Sequence, residues 1–228
     1  MLNNQDITIT SHPLVLLGMT CNYLVLIDVL MNFMEERKAF VIKYPMMVYN
    51  IFQIFLNTYI FYGLITIISM PYNIFGLNTL YNNNIQYYVY LHYLSKYLDY
   101  FDTVFIILRK KNNQLSFLHI YHHSTIGVIW GLLLYIGHGN GTVAFGALIN
   151  SFIHMIMYTH YLYTSLGYIN PLKKYITQAQ LTQFIICMIH SFVVMLYEKY
   201  VPKYLATTQT LYHISMLYLF NKFYVKSY

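Results

Sequence analysis

The chain alternates long apolar runs with short polar links. Seven runs are long enough to cross about 30 Å of hydrocarbon as helices. They are Leu14–Met34, Pro45–Met70, Gln86–Leu108, Leu115–Ile136, Val143–Tyr163, Lys173–Tyr197 and Tyr204–Tyr224. The links leave no room for a soluble domain and show no repeat, so residues 1–228 read as a single all-α transmembrane domain. Inside the runs, polar side chains recur at helical spacing. The second run carries Asn50, Gln53 and Asn57, and the third carries Lys96, Asp99, Asp102 and Thr103 in its second half. The fourth holds His119, His122 and His123 near its start. The fifth shows Asn150, His154, Tyr158 and Tyr161; the sixth shows Thr177, Gln180 and Gln183, with His190 in line two turns on.

Composition turns these runs into membrane spans. The chain is 58% hydrophobic and 9% charged, against roughly 25% charged residues in soluble domains. Aromatic residues make up 19%, including 27 tyrosines, many at run ends where amphipathic rings anchor at headgroups. The net charge of +6 comes from basic residues scattered through the links, which excludes a nucleic-acid surface. Arg37, Lys38, Lys43, Arg109, Lys110, Lys111, Lys173, Lys174, Lys222 and Lys226 fall on one side of the bilayer; only Lys199 and Lys203 fall on the other. This asymmetry predicts a lumenal N-terminus and a cytosolic C-terminus. The first thirteen residues are polar and lack a basic region, so the first run is expected to serve as the insertion signal. Cys21 and Cys187 stand alone, which excludes a disulfide framework or a CxxC site.

With this orientation, five runs bring their polar stripes to the cytosolic half of the membrane. At about 1.5 Å per residue, His122 lies roughly 10 Å in from the cytosolic end of its helix. Polar groups cannot face lipid at that depth, so they must face one another or a cavity. The expectation is a pocket open to the cytosol, polar at its mouth and apolar at its depth, suited to an amphiphile. Three imidazoles within five residues point to acid–base or nucleophilic chemistry. A di-iron centre needs several histidine boxes, whereas His12, His92, His138 and His213 are scattered. His119 and His123 could share a zinc ion, but no Glu lies between them to act as base, so no metal is expected. A transporter or heptahelical receptor with a polar network is the competing reading. Such proteins tend to carry broken helices at the midplane, and no run core near the histidines contains Pro.

The motifs resemble those of the ELO fatty acid elongases. Lys96-Tyr-Leu-Asp99-Tyr-Phe-Asp102-Thr103 is similar to the family's KxxExxDT, and His119 to His123 matches HxxHH. His154-Met-Ile-Met157-Tyr158-Thr-His160-Tyr161 resembles HxxMYxYY, with Asn150 four residues upstream; Thr177, Gln180, Gln183 and Phe184 match TxxQxxQF. Weaker similarities lie at Met34 to Phe40, at Tyr49-Asn50 and at Leu219 to Tyr224, so the likeness runs from Asp28 to Tyr228. Two positions depart from the pattern: Asp99 stands for Glu, and His160 for the first of the paired tyrosines.

The resemblance implies a reaction in which acyl-CoA and malonyl-CoA give 3-oxoacyl-CoA, CoA and CO2. It implies seven helices, six of them around an acyl tunnel, in the endoplasmic reticulum membrane. It further implies no cofactor beyond the two CoA substrates, work beside the reductases and dehydratase of the cycle, and compatibility with a homodimer. Neither cysteine is suitably placed as nucleophile, so His122 is expected to attack the acyl thioester, with His154 positioning the carbonyl and moving protons. His119 and His123 would orient neighbours or meet phosphate oxygens, and Asp102 or Asp99 would orient an imidazole. Lys96, Asp99, Asn150, Tyr158, Tyr161, Gln180 and Gln183 are expected to bind substrate. Arg109, Lys110, Lys111, Lys173 and Lys174 serve either CoA phosphates or topology alone. Asn140-Gly-Thr142 is a glycosylation sequon in a link too short to be well modified.

Overall fold

A computed structural model describes residues 4–68 and 76–227. It is all-helical: α1 (Asn4–Thr10), α2 (Pro13–Met34), α3 (Lys43–Ile68), α4 (Asn83–Leu98), α5 (Tyr100–Leu108), α6 (Phe117–Tyr135), α7 (Ala144–Ser165), α8 (Lys173–Tyr197) and α9 (Lys203–Ser227). Among the described residues, five helical segments are long and apolar enough to cross a membrane: α2, α3, α6, Gly141–Ser165 and α8. The other two expected spans differ in kind. The run from Gln86 to Leu108 divides at Asp99 into α4 and α5. There the Asp102 N–H bonds the Asp99 carbonyl three residues back at 3.1 Å. Asp99 keeps helical dihedrals (φ −62°, ψ −14°), so the break is a local tightening rather than a turn. Helix α9 is long, but it falls short of the apolarity of the other spans. The polar N-terminus contains a helix that periodicity did not predict, α1, held by its buried Ile7. The expected end of the second run at Met70 lies outside the described residues.

The chain divides into two compact units, with boundaries inside α3 and α4. One unit comprises residues 1–46 and 90–139, the other 47–89 and 140–228.

In the first unit α2 packs on α5 and α6, and α1 packs on α6. Pro13 opens α2, where its missing N–H costs nothing. Helix α6 starts at Ser116, whose hydroxyl accepts the His119 N–H at 3.2 Å, a cap worth about 1 kcal/mol. It ends in a Schellman turn. Gly137 takes φ +79°; its N–H bonds the Leu134 carbonyl at 3.0 Å, and His138 N–H bonds Leu133 at 2.8 Å. Gly131 lets α2 approach, because a Cβ there would overlap Leu16 and Tyr93. Hydrophobicity does not drive helices together in lipid, so close approach of this kind is what binds them.

In the second unit α7 packs on α8, and α8 on α9. Helix α3 buries one face whose first half is polar (Asn50, Gln53, Asn57) and whose second half is apolar (Ile60, Leu64, Ile68). Its other side exposes Val48, Phe52, Phe55, Tyr59 and Tyr62. Along this helix the buried face thus passes from polar to apolar.

Glu198, just past α8, ties three loops of the second unit together. Its Oε2 accepts the Thr142 hydroxyl at 2.6 Å and the Asn78 N–H; its Oε1 accepts Lys199 N–H at 2.9 Å and Tyr200 N–H at 3.0 Å. Beside it Asn140 pairs with the Asn82 backbone in both directions, at 3.1 and 3.0 Å. The sequon's amide nitrogen and hydroxyl are thus both engaged in structure. Burial alone would raise the Glu198 carboxyl; the Thr142 hydroxyl and the N–H groups of Tyr200, Asn78 and Lys199 outweigh it and hold the group below the usual carboxylate range. A depressed carboxyl contributes stability above its unfolded pKa of about 4.3. That contribution disappears as pH falls through the lower folded value. Glu198→Gln should therefore lower the thermal midpoint near neutral pH by an amount equivalent to about 1–2 kcal/mol, and the deficit should vanish in acid. A midpoint that parallels the parent's from pH 7 to pH 3 would contradict this.

Candidate active site

The sequence-predicted site residues divide between the two units. Lys96, Asp99, Asp102, His119, His122 and His123 belong to the first; Asn150, His154, Tyr158, Tyr161, Gln180 and Gln183 belong to the second.

In the first unit the histidine box occupies the first two turns of α6, directly after the Ser116 cap. His119 and His123, one turn apart, face each other with ring centroids 4.3 Å apart; His122 meets His123 edge-on at 5.5 Å. His119 Nε2 lies 2.7 Å from the Thr103 hydroxyl on α5, which lies 3.0 Å from the Tyr23 hydroxyl on α2. Tyr23 in turn stacks on Tyr100 at 4.2 Å. A relay of ring, hydroxyl and phenol thus fixes the His119 imidazole from two neighbouring helices. His122, half-buried, is no part of that relay. The expected use of Asp102 or Asp99 to orient an imidazole is not what holds His119; a hydroxyl does that.

Lys96 and Asp99 form a buried ion pair, Nζ to Oδ2 3.3 Å, with side chains 1% and 2% exposed. The half-buried Asp102 adds to the field on Lys96. Beside them His92 packs edge-on against Trp130 at 4.9 Å. The shorter Asp99 reaches Lys96 because the pair is spaced i, i+3 at the point where the helix tightens. Arg109, Lys110 and Lys111 are exposed at the end of α5, and Lys110 Nζ donates to the Glu35 carbonyl at 3.0 Å.

In the second unit His154 Nδ1 lies 2.9 Å from the Asn150 carbonyl, one turn back on α7. A carbonyl only accepts, so Nδ1 carries a proton. Tyr158, wholly buried, lies 6.0 Å from the His154 ring. Its hydroxyl is 3.2 Å from that of Tyr49 and accepts from Gln53 Nε2 at 3.3 Å. Gln53 Nε2 also donates to Tyr49 at 3.0 Å. Tyr161, 37% exposed, packs edge-on against Tyr158 at 5.8 Å. Gln180 Nε2 reaches Met157 Sδ at 3.3 Å, and Gln183 is buried. His160, the departure from the family pattern, pairs through Nδ1 with the Asn170 amide at 2.7 Å and so anchors the loop after α7. Lys173 and Lys174 are exposed at the start of α8.

Two participants escaped the sequence reading. Tyr23 had no signal among so many tyrosines. Tyr49 had one, since it lies four residues before Gln53 on the same stripe. Among the described residues no group of three His, Cys, Asp or Glu is arranged to hold a metal ion.

Asn50, also on the polar half of α3, is 2% exposed, and its Nδ2 has no acceptor among the described residues. A buried amide left unpaired costs about 1–3 kcal/mol.

Comparison with known proteins gives this geometry a setting. Residues 8–228 match the family model described as ELO: GNS1/SUR4 family. The chain is 51% identical over 212 residues to "Fatty acid elongase 5" of Leishmania major, covering 93% of this chain and 84% of that protein. It is 42% identical over 205 residues to "Fatty acid elongase 4" of Trypanosoma brucei brucei, covering 90% and 81%. It is 34% identical over 222 residues to the human "Very long chain fatty acid elongase 4", covering 93% and 70%.

Proposed function

The chain belongs to the ELO: GNS1/SUR4 family of multi-pass membrane proteins, and from that premise we propose that it elongates fatty acids by condensing a long-chain acyl-CoA with malonyl-CoA. The products are 3-oxoacyl-CoA, free CoA and CO2. The site lies in an endoplasmic reticulum membrane, with the N-terminus lumenal and the C-terminus cytosolic. The observation that carries the reading is the histidine box in the first two turns of a membrane helix, with one imidazole fixed by Thr103 and Tyr23 and its neighbour outside that relay.

His122 attacks the acyl thioester carbon, forming an acyl-imidazole and expelling CoA as its thiolate, which takes up a proton. Malonyl-CoA then loses CO2, and the electron pair left on C2 attacks the acyl carbon. The imidazole leaves as the new carbon–carbon bond forms and takes up a proton from solvent, the one proton the overall reaction consumes, which regenerates His122. His154 positions the reacting carbonyl and moves protons. His119 and His123 hold the ring array in place.

Membranes containing the chain should incorporate malonyl carbon into acyl chains two carbons longer and release CO2 and CoA in equal amounts. Binding of acyl-CoA without malonyl-CoA turnover would instead support a carrier or receptor. Assaying a series of acyl chain lengths in the same experiment identifies the preferred substrate.

A further inference from the structure

The buried face of α3 holds three amide side chains, and two of them account for their own N–H groups. Gln53 Nε2 serves the hydroxyls of Tyr49 and Tyr158. Asn57 Nδ2 donates to the Gln53 backbone carbonyl at 2.8 Å and lies 3.4 Å from its Oε1. Asn50 does not. Its side chain is 2% exposed, yet no described residue accepts from Nδ2. A leucine of similar shape would fill the position without that penalty, so packing gives no reason for an amide here. Asn57 Oδ1 also lacks a donor, but it lies two turns further along α3, about 10 Å at the helical rise, beyond reach of the same group.

We propose that Asn50 Nδ2 donates a hydrogen bond to the thioester carbonyl oxygen of a CoA-bound substrate, an assignment that rests on the elongase reading. The atom left over is a donor, so its partner is an acceptor. The partner is neutral: beyond Lys43, seven residues earlier, α3 carries no basic residue to offset the cost of burying a phosphate or carboxylate there. The partner also belongs to a molecule with a hydrocarbon end, because past Gln53 and Asn57 the same helix face continues as Ile60, Leu64 and Ile68. A thioester carbonyl beside an alkyl chain meets all three conditions. Asn50 lies on the stripe of Gln53, whose amide fixes Tyr158, so it belongs to a face already organised for hydrogen bonding. The donor draws charge toward the carbonyl oxygen and strengthens its hold as that oxygen becomes an oxyanion.

The test uses the full chain in lipid nanodiscs and compares the parent with Asn50→Leu for thermal midpoint and elongation kinetics. The expected result is an equal or higher midpoint with kcat lowered about 10²-fold, the usual effect of losing one oxyanion donor. Single-turnover CoA release with acyl-CoA alone reads the acyl thioester. If that step is unchanged and the malonyl-CoA-dependent step falls, the carbonyl belongs to malonyl-CoA. Asn50→Asp, which keeps the shape and replaces the donor with an acceptor, should lose activity to at least the same degree if the leucine variant folds poorly. Full activity in Asn50→Leu, at whatever midpoint, overturns the assignment and leaves water as the partner. Activity that falls only in proportion to the folded protein in both variants makes Asn50 structural and also overturns it. A folded parent that turns over no thioester defeats the elongase reading itself, whereas an active parent matched by its variants defeats only Asn50.

Discussion

His122→Ala is expected to abolish chain elongation, lowering turnover about 10³-fold or more while the protein stays folded. The ring is half-buried and meets His123 edge-on at 5.5 Å. Removing it should leave the relay of His119, Thr103 and Tyr23 intact. His119→Ala cuts that relay at the 2.7 Å contact with Thr103 and removes the 4.3 Å ring partner of His123. Its loss should be smaller, about 10–100-fold, because positioning fails while the reacting atom remains. Single-turnover release of CoA from acyl-CoA, followed by incorporation of labelled malonyl carbon, separates the two steps. Normal activity in His122→Ala would end the nucleophile assignment. A deeper loss in His119→Ala would transfer it to that ring.

The second large effect concerns folding. Lys96 and Asp99 are almost wholly buried and face each other at 3.3 Å. Breaking such a pair by removing one partner strands a charge and costs about 3–5 kcal/mol; replacing both with apolar residues is often close to neutral. Lys96→Met and Asp99→Leu should each shift detergent-solubilised protein toward aggregate in size-exclusion chromatography. The double variant should recover much of the monodisperse peak. Asp99→Glu should retain the pair and behave like the parent. A double variant as unstable as either single one would show that the pair is not what holds α4 and α5 in register. If the double variant folds but does not elongate, the pair also serves the chemistry.

Several features were legible in the sequence because each depends on local periodicity. Hydrophobic run length determined most of the helices, and the spacing of Asn50, Gln53 and Asn57 determined which face of α3 is buried. The third run shows where that logic stops. Its apolar period continues through Asp99, but the one-residue tightening depends on which carbonyl the Asp102 N–H selects. Helix α1 was missed because a seven-residue polar segment has no period to read; what holds it is Ile7 buried against the rest of its unit.

By itself the sequence determined an all-helical membrane protein, the polar stripes, and a histidine box whose residue types suit acyl transfer. Helical period and residue chemistry are written in the order of the chain, so these needed no partner to be read. Only the tertiary structure decided that the His119 imidazole is tethered through Thr103 to Tyr23. It also decided that Tyr23 and Tyr49 join the hydrogen-bonded networks, and that the Asn50 amide nitrogen lacks an acceptor among the described residues. A hydroxyl's role is set by what folds against it. Tyr23 meets Thr103 across 80 residues, and Tyr49 meets Tyr158 across 109. Periodicity along the chain carries no record of such pairs.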